Sequence, residues 1–192
     1  MSIDLIIFDC DGVLVDSEAI YIAAELEFLA DAGLCLDRAS YMQDFMGLSP
    51  DIWQQRLETL MLERTSLPLP TRLFQELSAF TKTALEERLT ALPGAHQQIE
   101  AIGHPCCVAS STGLSRLTWK LERTGLLDLF SPHVFSAEMV ENGKPSPDLF
   151  LHAAACVGAD PSTCIVVEDS ANGVRAGKAA GMRVIGLTAG SH

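Results

Sequence analysis

Acidic side chains directly follow two short apolar runs of this 192-residue sequence. One pair comes after residues 5–8 and the other after residues 164–167. Carboxylates gathered in one crevice repel one another strongly unless a cation lies among them. Hard carboxylate oxygens suit Mg²⁺, which usually keeps some waters and takes phosphate as a remaining ligand. We therefore predict a Mg²⁺ site made by these carboxylates, namely Asp9, Asp11, Glu168 and Asp169.

The spacing Asp9-x-Asp11 suits two different chemical roles. Both side chains are expected just beyond a strand, with Cys10 pointing away between them. One carboxylate can bind metal and act as a nucleophile, while the other acts as an acid and then as a base. An Asp-x-Asp after a strand is also common as a plain turn or helix cap, and Glu168-Asp169-Ser170 is open to the same interpretation. The occurrence of several such segments together favours catalysis.

Hydroxyl groups and one lysine extend this set. Ser110, Ser111 and Thr112 follow a third apolar run at residues 106–109. Taken alone they would form an ordinary hydroxyl-rich turn, and Lys144 would be an ordinary solvated lysine. In a crevice that holds carboxylates, however, a phosphate dianion and a charged nucleophile require a cation. We predict that Ser110, Ser111 and Lys144 bind phosphate.

Apolar runs alternate with helical patterns through much of the chain. The strongest runs do not alternate in polarity, which is typical of strands covered on both faces. They span residues 5–8, 106–109, 164–167 and 183–187, with a weaker run at 133–136. Helical patterns between them end at Gly125 and Gly158, and one of them starts at Ser146-Pro147. Another helix is predicted from Val174. The alternation predicts an α/β fold with a doubly wound parallel sheet.

Residues 16–89 interrupt this alternation. They contain no strand-like run and carry three helical periods, over 17–33, from Ser49-Pro50, and around 73–84. A helical block after the first strand is an insertion at the carboxyl edge of the sheet, where open α/β folds bind ligands. Hinges are expected at its two junctions with the sheet.

Composition argues against several classes of partner. The chain is 48% hydrophobic, has a formal net charge of −12 and has no local cluster of basic residues. Such a chain repels nucleic-acid phosphates and anionic lipid, so neither partner is expected. It has no signal-peptide pattern and no apolar stretch near the ~20 residues of a membrane span. Cysteines without a C-x-x-C pair are typical of free thiols in a reducing compartment, which predicts a cytoplasmic protein.

Four segments, in this order, resemble the motifs of the haloacid dehalogenase-like hydrolase superfamily. They are Phe8-Asp9-Cys10-Asp11-Gly12-Val13-Leu14-Val15-Asp16-Ser17-Glu18, Ser110, Gly143-Lys144-Pro145 and Val167-Glu168-Asp169-Ser170. The likeness covers nearly the whole chain and extends to the branch with β-phosphoglucomutase and small sugar-phosphate phosphatases. It implies a Rossmann-like core, residues 1–15 and 90–192, with an all-helical cap domain inserted at 16–89.

The resemblance also implies a role for each motif residue. Asp9 is the nucleophile that forms an aspartyl-phosphate, and Asp11 protonates the leaving oxygen and then activates water. Ser110 binds the phosphoryl oxygens, and Lys144 links the phosphate to the nucleophile. The implied Mg²⁺ ligands are Asp169 with Glu168 beside it, Asp9, and the backbone carbonyl of Asp11. Phosphoryl transfer depends above all on such positioning and charge neutralisation.

Departures from the family pattern select among its activities. Dehalogenases lack the second aspartate, so Asp11 favours phosphoryl transfer; phosphonatases usually have another residue there and use a cap lysine. β-Phosphoglucomutase has a cap histidine where Tyr21 stands, and cap-loop cations where Met46 and Pro50 stand. Without those cations a bisphosphorylated intermediate is difficult to hold. The predicted function is a Mg²⁺-dependent phosphomonoester hydrolase for a small phosphorylated metabolite such as a sugar phosphate, with a phosphomutase as the alternative.

A non-enzymatic phospho-acceptor module is a remote alternative. Receiver domains also place strand-end aspartates, a hydroxyl and a lysine around Mg²⁺ in a doubly wound fold. They lack a cap insertion and carry the phosphorylated aspartate after a central strand, so the helical block and Asp11 count against them. The sequence leaves open the particular metabolite, the cap residues that contact it and the oligomeric state. Because the chain ends at Ser191-His192, where relatives usually continue, an exposed sheet edge is expected.

Overall fold

A parallel sheet organises the chain, for which the computed structural model describes residues 2–45, 48 and 50–188. Its strands are β1 Leu5–Phe8, β2 Cys106–Ser110, β3 Val134–Ser136, β4 Cys164–Glu168 and β5 Arg183–Gly186. They lie in the order β3-β2-β1-β4-β5, and every neighbouring pair is parallel. The predicted α/β parallel-sheet fold is confirmed. Its strand order reverses between β1 and β4, which is where ligands bind in open sheets of this kind.

Helices connect the strands and also form a separate block. In chain order they are α1 Ser17–Asp31, α2 Arg38–Phe45, α3 Pro50–Thr65, α4 Leu73–Arg88, α5 Ala95–Ala101, α6 Leu114–Arg123, α7 Leu127–Phe130, α8 Asp148–Val157 and α9 Ala171–Ala179. Short 3₁₀ segments occur at Ala137–Met139 and Pro161–Thr163. None of the described helices is both long enough and apolar enough to cross a membrane.

The chain divides into two compact units. Of the described residues, the core unit comprises those up to Ser17 and those from Leu89 to residue 188, and the helical unit comprises those within Glu18–Arg88. Within the core unit, the two segments that lead to and from the helical unit are hydrogen-bonded to each other. The Leu92 N–H donates to the Leu14 carbonyl at 2.8 Å, and Val15 forms a bridge with Ala91.

Alternate residues of the central strands and one face of α8 form much of the interior of the core unit. The buried members include Leu5, Ile7, Cys107, Ala109, Cys164 and Val166 from the strands, and Leu149, Phe150 and Ala153 from α8. All six cysteines of the chain are free thiols. The expectation that they are buried holds for Cys10, Cys107 and Cys164 but is wrong for Cys35 and Cys156, which are exposed. Burying each large apolar side chain contributes about 1.5–3 kcal/mol, so this packing fixes the strand ends that follow it.

Several predicted helix ends are confirmed and two starts need correction. Gly125 and Gly158 follow or close their helices with φ of +72° and +81°. Helix α8 starts one residue later than predicted, because Pro147 occupies the position before its first turn. Helix α9 starts three residues before Val174, because the Ser170 hydroxyl accepts a hydrogen bond from the Gly173 N–H at 3.0 Å and caps the helix.

The helical unit contains the three predicted helices and one more. Its buried cluster includes Leu29, Leu34, Tyr41, Phe45, Leu57, Leu60, Met61 and Leu73. The additional helix, α2, buries Tyr41 and Phe45 at a spacing of one turn, and the Asp37 carboxylate caps it by accepting from the Ser40 N–H at 2.9 Å. Eight residues with two buried side chains give too weak a period to predict. Met46 and Ser49, which the sequence assigns to a cap loop and a helix start, lie outside the described residues.

Strand β5 is largely exposed. Its only partner among the described residues is β4, and Ile185 is 49% exposed while Val184 is half-buried. The prediction that the run at 183–187 is covered on both faces is therefore wrong for this strand. A continuous apolar run does not distinguish a central strand from one at the edge of a sheet.

Candidate active site

The carboxyl ends of β1 and β4 bring predicted acidic residues side by side. Phe8 lies in register with Val108 of β2 and with Val167 of β4. Asp9 follows Phe8, and its backbone N–H donates to the Val167 carbonyl at 3.0 Å. Glu168, the next residue of β4, therefore lies beside Asp9 at the edge where the strand order reverses.

Lys144 bridges these two carboxylates. Its Nζ donates to Asp9 Oδ1 at 2.6 Å and to Glu168 Oε1 at 2.7 Å. The side chain of Lys144 is 4% exposed and that of Glu168 is 1% exposed. The Nζ also lies 4.9 Å from the centroid of the Phe150 ring. A buried ammonium without partners would lose several kcal/mol of hydration, so the two carboxylates keep it charged at this place.

The turn that carries Lys144 is fixed by its own hydrogen bonds. The Ser146 N–H donates to the Gly143 carbonyl at 2.9 Å. The Asp148 carboxylate, in the first turn of α8, accepts from the Asn142 amide at 3.1 Å and from the Ser146 hydroxyl at 2.5 Å. These contacts join the segment before α8 to the helix and fix the backbone from which the Lys144 side chain extends.

Burial and neighbouring charges shift the pKa values in this cluster. Burial raises the pKa of the Asp9 carboxyl to about 7, with Lys144 opposing the shift and Glu168 adding to it. Burial lowers the pKa of Lys144, but the charges of Asp9 and Glu168 outweigh burial and raise it above its ordinary value. Two carboxylates share one ammonium here, so one negative charge remains in excess. A further cation would stabilise the ionised form of Asp9.

Two glycines make room for the acidic side chains that end β4. A Cβ at Gly12, whose φ is +76°, would overlap the Asp169 carboxylate, and a Cβ at Gly173 would overlap that of Glu168. Glu168 Oε2 also accepts from the Ser170 N–H at 2.7 Å and from its hydroxyl at 2.9 Å. Glycine at these two positions is thus what lets the carboxylates reach the sheet edge.

Asp11 is held by donors from three separate segments of the chain. Its Oδ1 accepts from the Lys120 ammonium and from the Ser17 hydroxyl, and its Oδ2 accepts from the Thr112 hydroxyl at 2.8 Å. Partial burial raises the pKa of the Asp11 carboxyl, but the Lys120 charge and these hydrogen bonds outweigh burial and hold it below its ordinary value. The Asp11 side chain remains 31% exposed.

The arrangement fits a divalent cation. One oxygen from each of Asp9, Glu168 and Asp169 lies within 4.8 Å of the others, whereas the Asp11 carboxylate is turned towards Lys120. The four predicted carboxylates and the two lysines that pair with them leave a formal charge of −2. Hard oxygen donors with this residual charge are suited to Mg²⁺.

The two predicted phosphate-binding serines lie in different environments. Ser110 is buried at the end of β2, and its Oγ accepts from the Thr112 backbone N–H at 3.1 Å. Ser111 is exposed in the following turn. The Ser136 hydroxyl, at the end of β3, donates to the Thr112 carbonyl at 2.8 Å. The turn after β2 is therefore held from β3 and places the Thr112 hydroxyl against Asp11.

Lys120 belongs to this site although none of the recognised motifs contains it. It lies on α6, where Leu117 and Leu121 are also buried. Because residues three and four apart share a helix face, the sequence places Lys120 on the apolar face of α6. A lysine on such a face is rare without an acidic partner, and this is the signal by which it could have been predicted.

Nearly the whole chain matches a known protein family. Residues 3–181 match the family model described as haloacid dehalogenase-like hydrolase. The 6-phosphogluconate phosphatase of Escherichia coli (strain K12) is 30% identical over 190 residues, which are 99% of this chain and 85% of that protein. Hexitol phosphatase B of the same strain is 34% identical over 186 residues, which are 93% of this chain and 81% of that protein.

A solved structure shares the fold as well. The crystal structure of a HAD family hydrolase from Deinococcus radiodurans R1, with bound phosphate and sodium, has a TM-score of 0.84 and 33% sequence identity. The match covers 96% of this chain and 80% of that one. Because the family model matches residues 3–181 of its 192 residues, this chain belongs to the haloacid dehalogenase-like hydrolases.

Proposed function

We propose that this chain is a Mg²⁺-dependent phosphomonoester hydrolase that acts on a small phosphorylated metabolite. The observation that carries the proposal is the buried Lys144, which joins Asp9 to Glu168 at 2.6 and 2.7 Å beside Asp169. A carboxylate held this way is fixed in place, and the Lys144 charge offsets part of the repulsion between Asp9 and an anionic phosphate. The two E. coli phosphatases among its relatives support the same reaction class.

In the first step Asp9 acts as the nucleophile. A carboxylate oxygen of Asp9 bonds to phosphorus while the bond from phosphorus to the ester oxygen breaks, which gives an aspartyl-phosphate. Asp11 acts as the acid that gives a proton to the departing alcohol oxygen. Because Lys120, Ser17 and Thr112 favour its ionised form, Asp11 takes up that proton from solvent before the transfer. Lys144 offsets the negative charge on the phosphoryl group, and Ser110 and Ser111 donate hydrogen bonds to its oxygens.

In the second step water replaces the enzyme carboxylate. Asp11, now ionised, takes a proton from a water molecule as the water oxygen bonds to phosphorus. The acyl-phosphate bond breaks, Asp9 returns to a free carboxylate, and inorganic phosphate is the product. The exposure of Asp11 leaves it open to the substrate side.

Asp9, Glu168 and Asp169 would hold Mg²⁺, with the backbone carbonyl of Asp11 as a further ligand that the family resemblance implies. Bound there, Mg²⁺ supplies charge neutralisation for the phosphoryl oxygens.

Residues 16–89 are proposed to serve as the cap domain that selects the substrate. Cap closure over an active site excludes water and completes the set of contacts. Relatives named for 6-phosphogluconate and hexitols support a phosphorylated sugar derivative as the substrate. The free cysteines support a cytoplasmic location, and the net charge of −12 supports the absence of nucleic-acid partners.

The direct test is phosphate release from p-nitrophenyl phosphate and from a panel of sugar and sugar-acid phosphates, with Mg²⁺ or with EDTA. The proposal predicts multiple turnovers that need Mg²⁺ and that Asp9→Asn abolishes. Asp128→Asn, an exposed aspartate of α7, is the matched control and should keep wild-type turnover. Isomerisation of a hexose phosphate without phosphate release would replace the hydrolase by a phosphomutase. One stable phosphorylation per chain without turnover would replace it by a phospho-acceptor module.

A further inference from the structure

The lysines of this chain fall into two groups. Lys82 and Lys178 are exposed, whereas Lys120 and Lys144 are buried in the core unit. Lys144 has a role in the proposed reaction, but nothing in that reaction accounts for Lys120. Its side chain is 4% exposed, and it sits on a helix face with Leu117 and Leu121.

Burying Lys120 is unfavourable for folding on its own. A charged group moved out of water loses several kcal/mol of hydration free energy, and a leucine or methionine on the same helix face would pack without that loss. The ion pair that offsets this cost is made with Asp11, which is 109 positions away along the chain. A buried cation in this place is therefore better explained by what it does to Asp11 than by the stability of α6.

Lys120 leaves Asp11 little rotational freedom. Lys120 and the Ser17 hydroxyl share Oδ1, and the Thr112 hydroxyl takes Oδ2 at 2.8 Å. Ser17 lies at the start of α1, Thr112 follows β2, and Lys120 lies in the middle of α6, so the carboxylate is fixed from three directions. Lys120 is the charged donor of the three, and a charged donor makes a hydrogen bond about twice as strong as a neutral one.

We propose that Lys120 is a positioning residue that acts through Asp11, holding its carboxylate between Ser17 and Thr112 in the orientation that serves the leaving group and the attacking water. This inference rests on the proposed function, because Asp11 is the acid and base of that reaction. It separates the two buried lysines: Lys144 acts on Asp9 and the phosphoryl group, and Lys120 acts only on the group that transfers protons.

The test compares Lys120→Met with Lys178→Met, the matched exposed lysine of the core unit. With p-nitrophenyl phosphate, transfer to Asp9 releases a phenolate that needs no proton, whereas hydrolysis of the phosphoenzyme needs Asp11 as a base. We expect Lys120→Met to release one equivalent of p-nitrophenolate at close to the wild-type rate and then to turn over about 10²-fold more slowly. With a sugar phosphate, whose alcohol must be protonated, kcat should fall by about 10²-fold with little change in KM. Lys178→Met should match the wild type.

A double-mutant cycle with Asp11→Asn shows whether Lys120 acts through Asp11. In the Asp11→Asn background, Lys120→Met should change turnover by less than about twofold, because the residue on which it acts has been replaced. An equal loss in both backgrounds, or equal losses in the burst and in the steady state, would overturn the inference. Lys120→Arg, which keeps the charge, should recover part of the activity, and it also serves if thermal unfolding shows that Lys120→Met is not folded. A wild-type chain that hydrolyses no ester would instead overturn the proposed function, and this inference with it.

Discussion

The core unit and the helical unit bury polar groups to different extents. Among the described residues, the core unit buries the polar residues Asp9, Ser17, Ser110, Lys120, Ser136 and Glu168 and the side chain of Lys144, whereas the helical unit buries Thr81 and the hydroxyl-bearing Tyr41. Buried charges oppose folding unless they are paired. Among its described residues the helical unit has no buried charged residue. We therefore attribute the buried charges of the core unit to the chemistry of the site rather than to folding.

The helical unit pairs the polar groups around its buried Tyr41 with one another. The Tyr41 hydroxyl donates to the Glu25 carboxylate and accepts from the Trp53 indole N–H at 3.0 Å. Tyr41 and Phe45 stack with ring centroids 4.9 Å apart. Glu25 is only half-buried, so one hydroxyl is enough to keep its carboxyl group satisfied. In the helical unit, the packing of the aromatic side chains sets the positions of the polar groups. In the core unit, ion pairs and hydrogen bonds set the positions of the site residues.

Removal of Lys144 should have the largest effect on both turnover and stability. Lys144→Met leaves Asp9 and Glu168 buried without their shared cation, and we expect turnover to fall by about 10³-fold. The free energy of unfolding should fall by about 3–5 kcal/mol, because uncompensated buried charges remain. Steady-state kinetics and denaturant titration measure both effects. Lys178→Met is the control on an exposed lysine, and equal behaviour of the two variants would show that the buried ion pairs have no special role.

An apolar truncation in the helical unit should act on that unit alone. Leu57→Ala removes a fully buried side chain and should cost about 3 kcal/mol of unfolding free energy. Hydrogen exchange should show lost protection in peptides from Glu18–Arg88 and unchanged protection in β1 and β4. Leu62→Ala, on the same helix but 57% exposed, should change stability by less than about 0.5 kcal/mol. Equal loss of protection in both units would show that they unfold as one.

Gly173 lies against the Glu168 carboxylate, so its substitution should move that carboxylate without removing its charge. Gly173→Ala places a methyl group where the Glu168 carboxylate lies, and the displacement should lower turnover by about 10²-fold. Gly186→Ala, in β5, is the control, since a Cβ there meets no atom within 4 Å. Phosphate-release kinetics distinguish the two. Wild-type rates in Gly173→Ala would mean that the position of Glu168 does not matter.

The smallest effect is expected at Glu25. Burial raises the pKa of its carboxyl group while the Tyr41 hydrogen bond opposes the shift, so the native state keeps its proton at pH values where the unfolded chain has lost it. Stability should therefore decline as the pH rises from the ordinary glutamate range to the native pKa of Glu25. Glu25→Gln should remove that slope and gain up to about 1 kcal/mol near neutral pH. Thermal unfolding across pH measures the slope, and Glu27→Gln, on an exposed residue, should keep it.

The sequence predicts those parts of the structure that are fixed by local pattern. The strand at residues 5–8 was predicted with its exact bounds, and those at 106–110 and 164–168 to within one residue, because continuous apolar runs end where charged or hydroxyl residues begin. The turn at residues 142–147 is also predicted from its own composition, and Lys144 within it is assigned to the site because a crevice of carboxylates that binds phosphate requires a cation. These residues need few long-range contacts for their identification.

The remaining parts depend on contacts that no local pattern contains. Lys120 meets Asp11 across 109 positions, and its place on the apolar face of α6 signals an acidic partner without identifying which one. The exposure of β5 depends on its place at the edge of the described sheet. The short α2 is stabilised by Tyr41 and Phe45 packing into the helical unit, and its own eight residues give little signal.

The central claim is that Asp9 becomes phosphorylated, and trapping the phosphoenzyme tests it most directly. Asp11→Asn should still accept a phosphoryl group from acetyl phosphate, whose acetate leaves without a proton, but should hydrolyse the aspartyl-phosphate slowly. Acid quenching, borohydride reduction and peptide mass analysis would then locate the modified residue. We expect homoserine at position 9 in a Mg²⁺-dependent reaction, and none in the Asp9→Asn/Asp11→Asn double variant. A phosphoryl group on any other residue, or none at all on a folded chain, would contradict it.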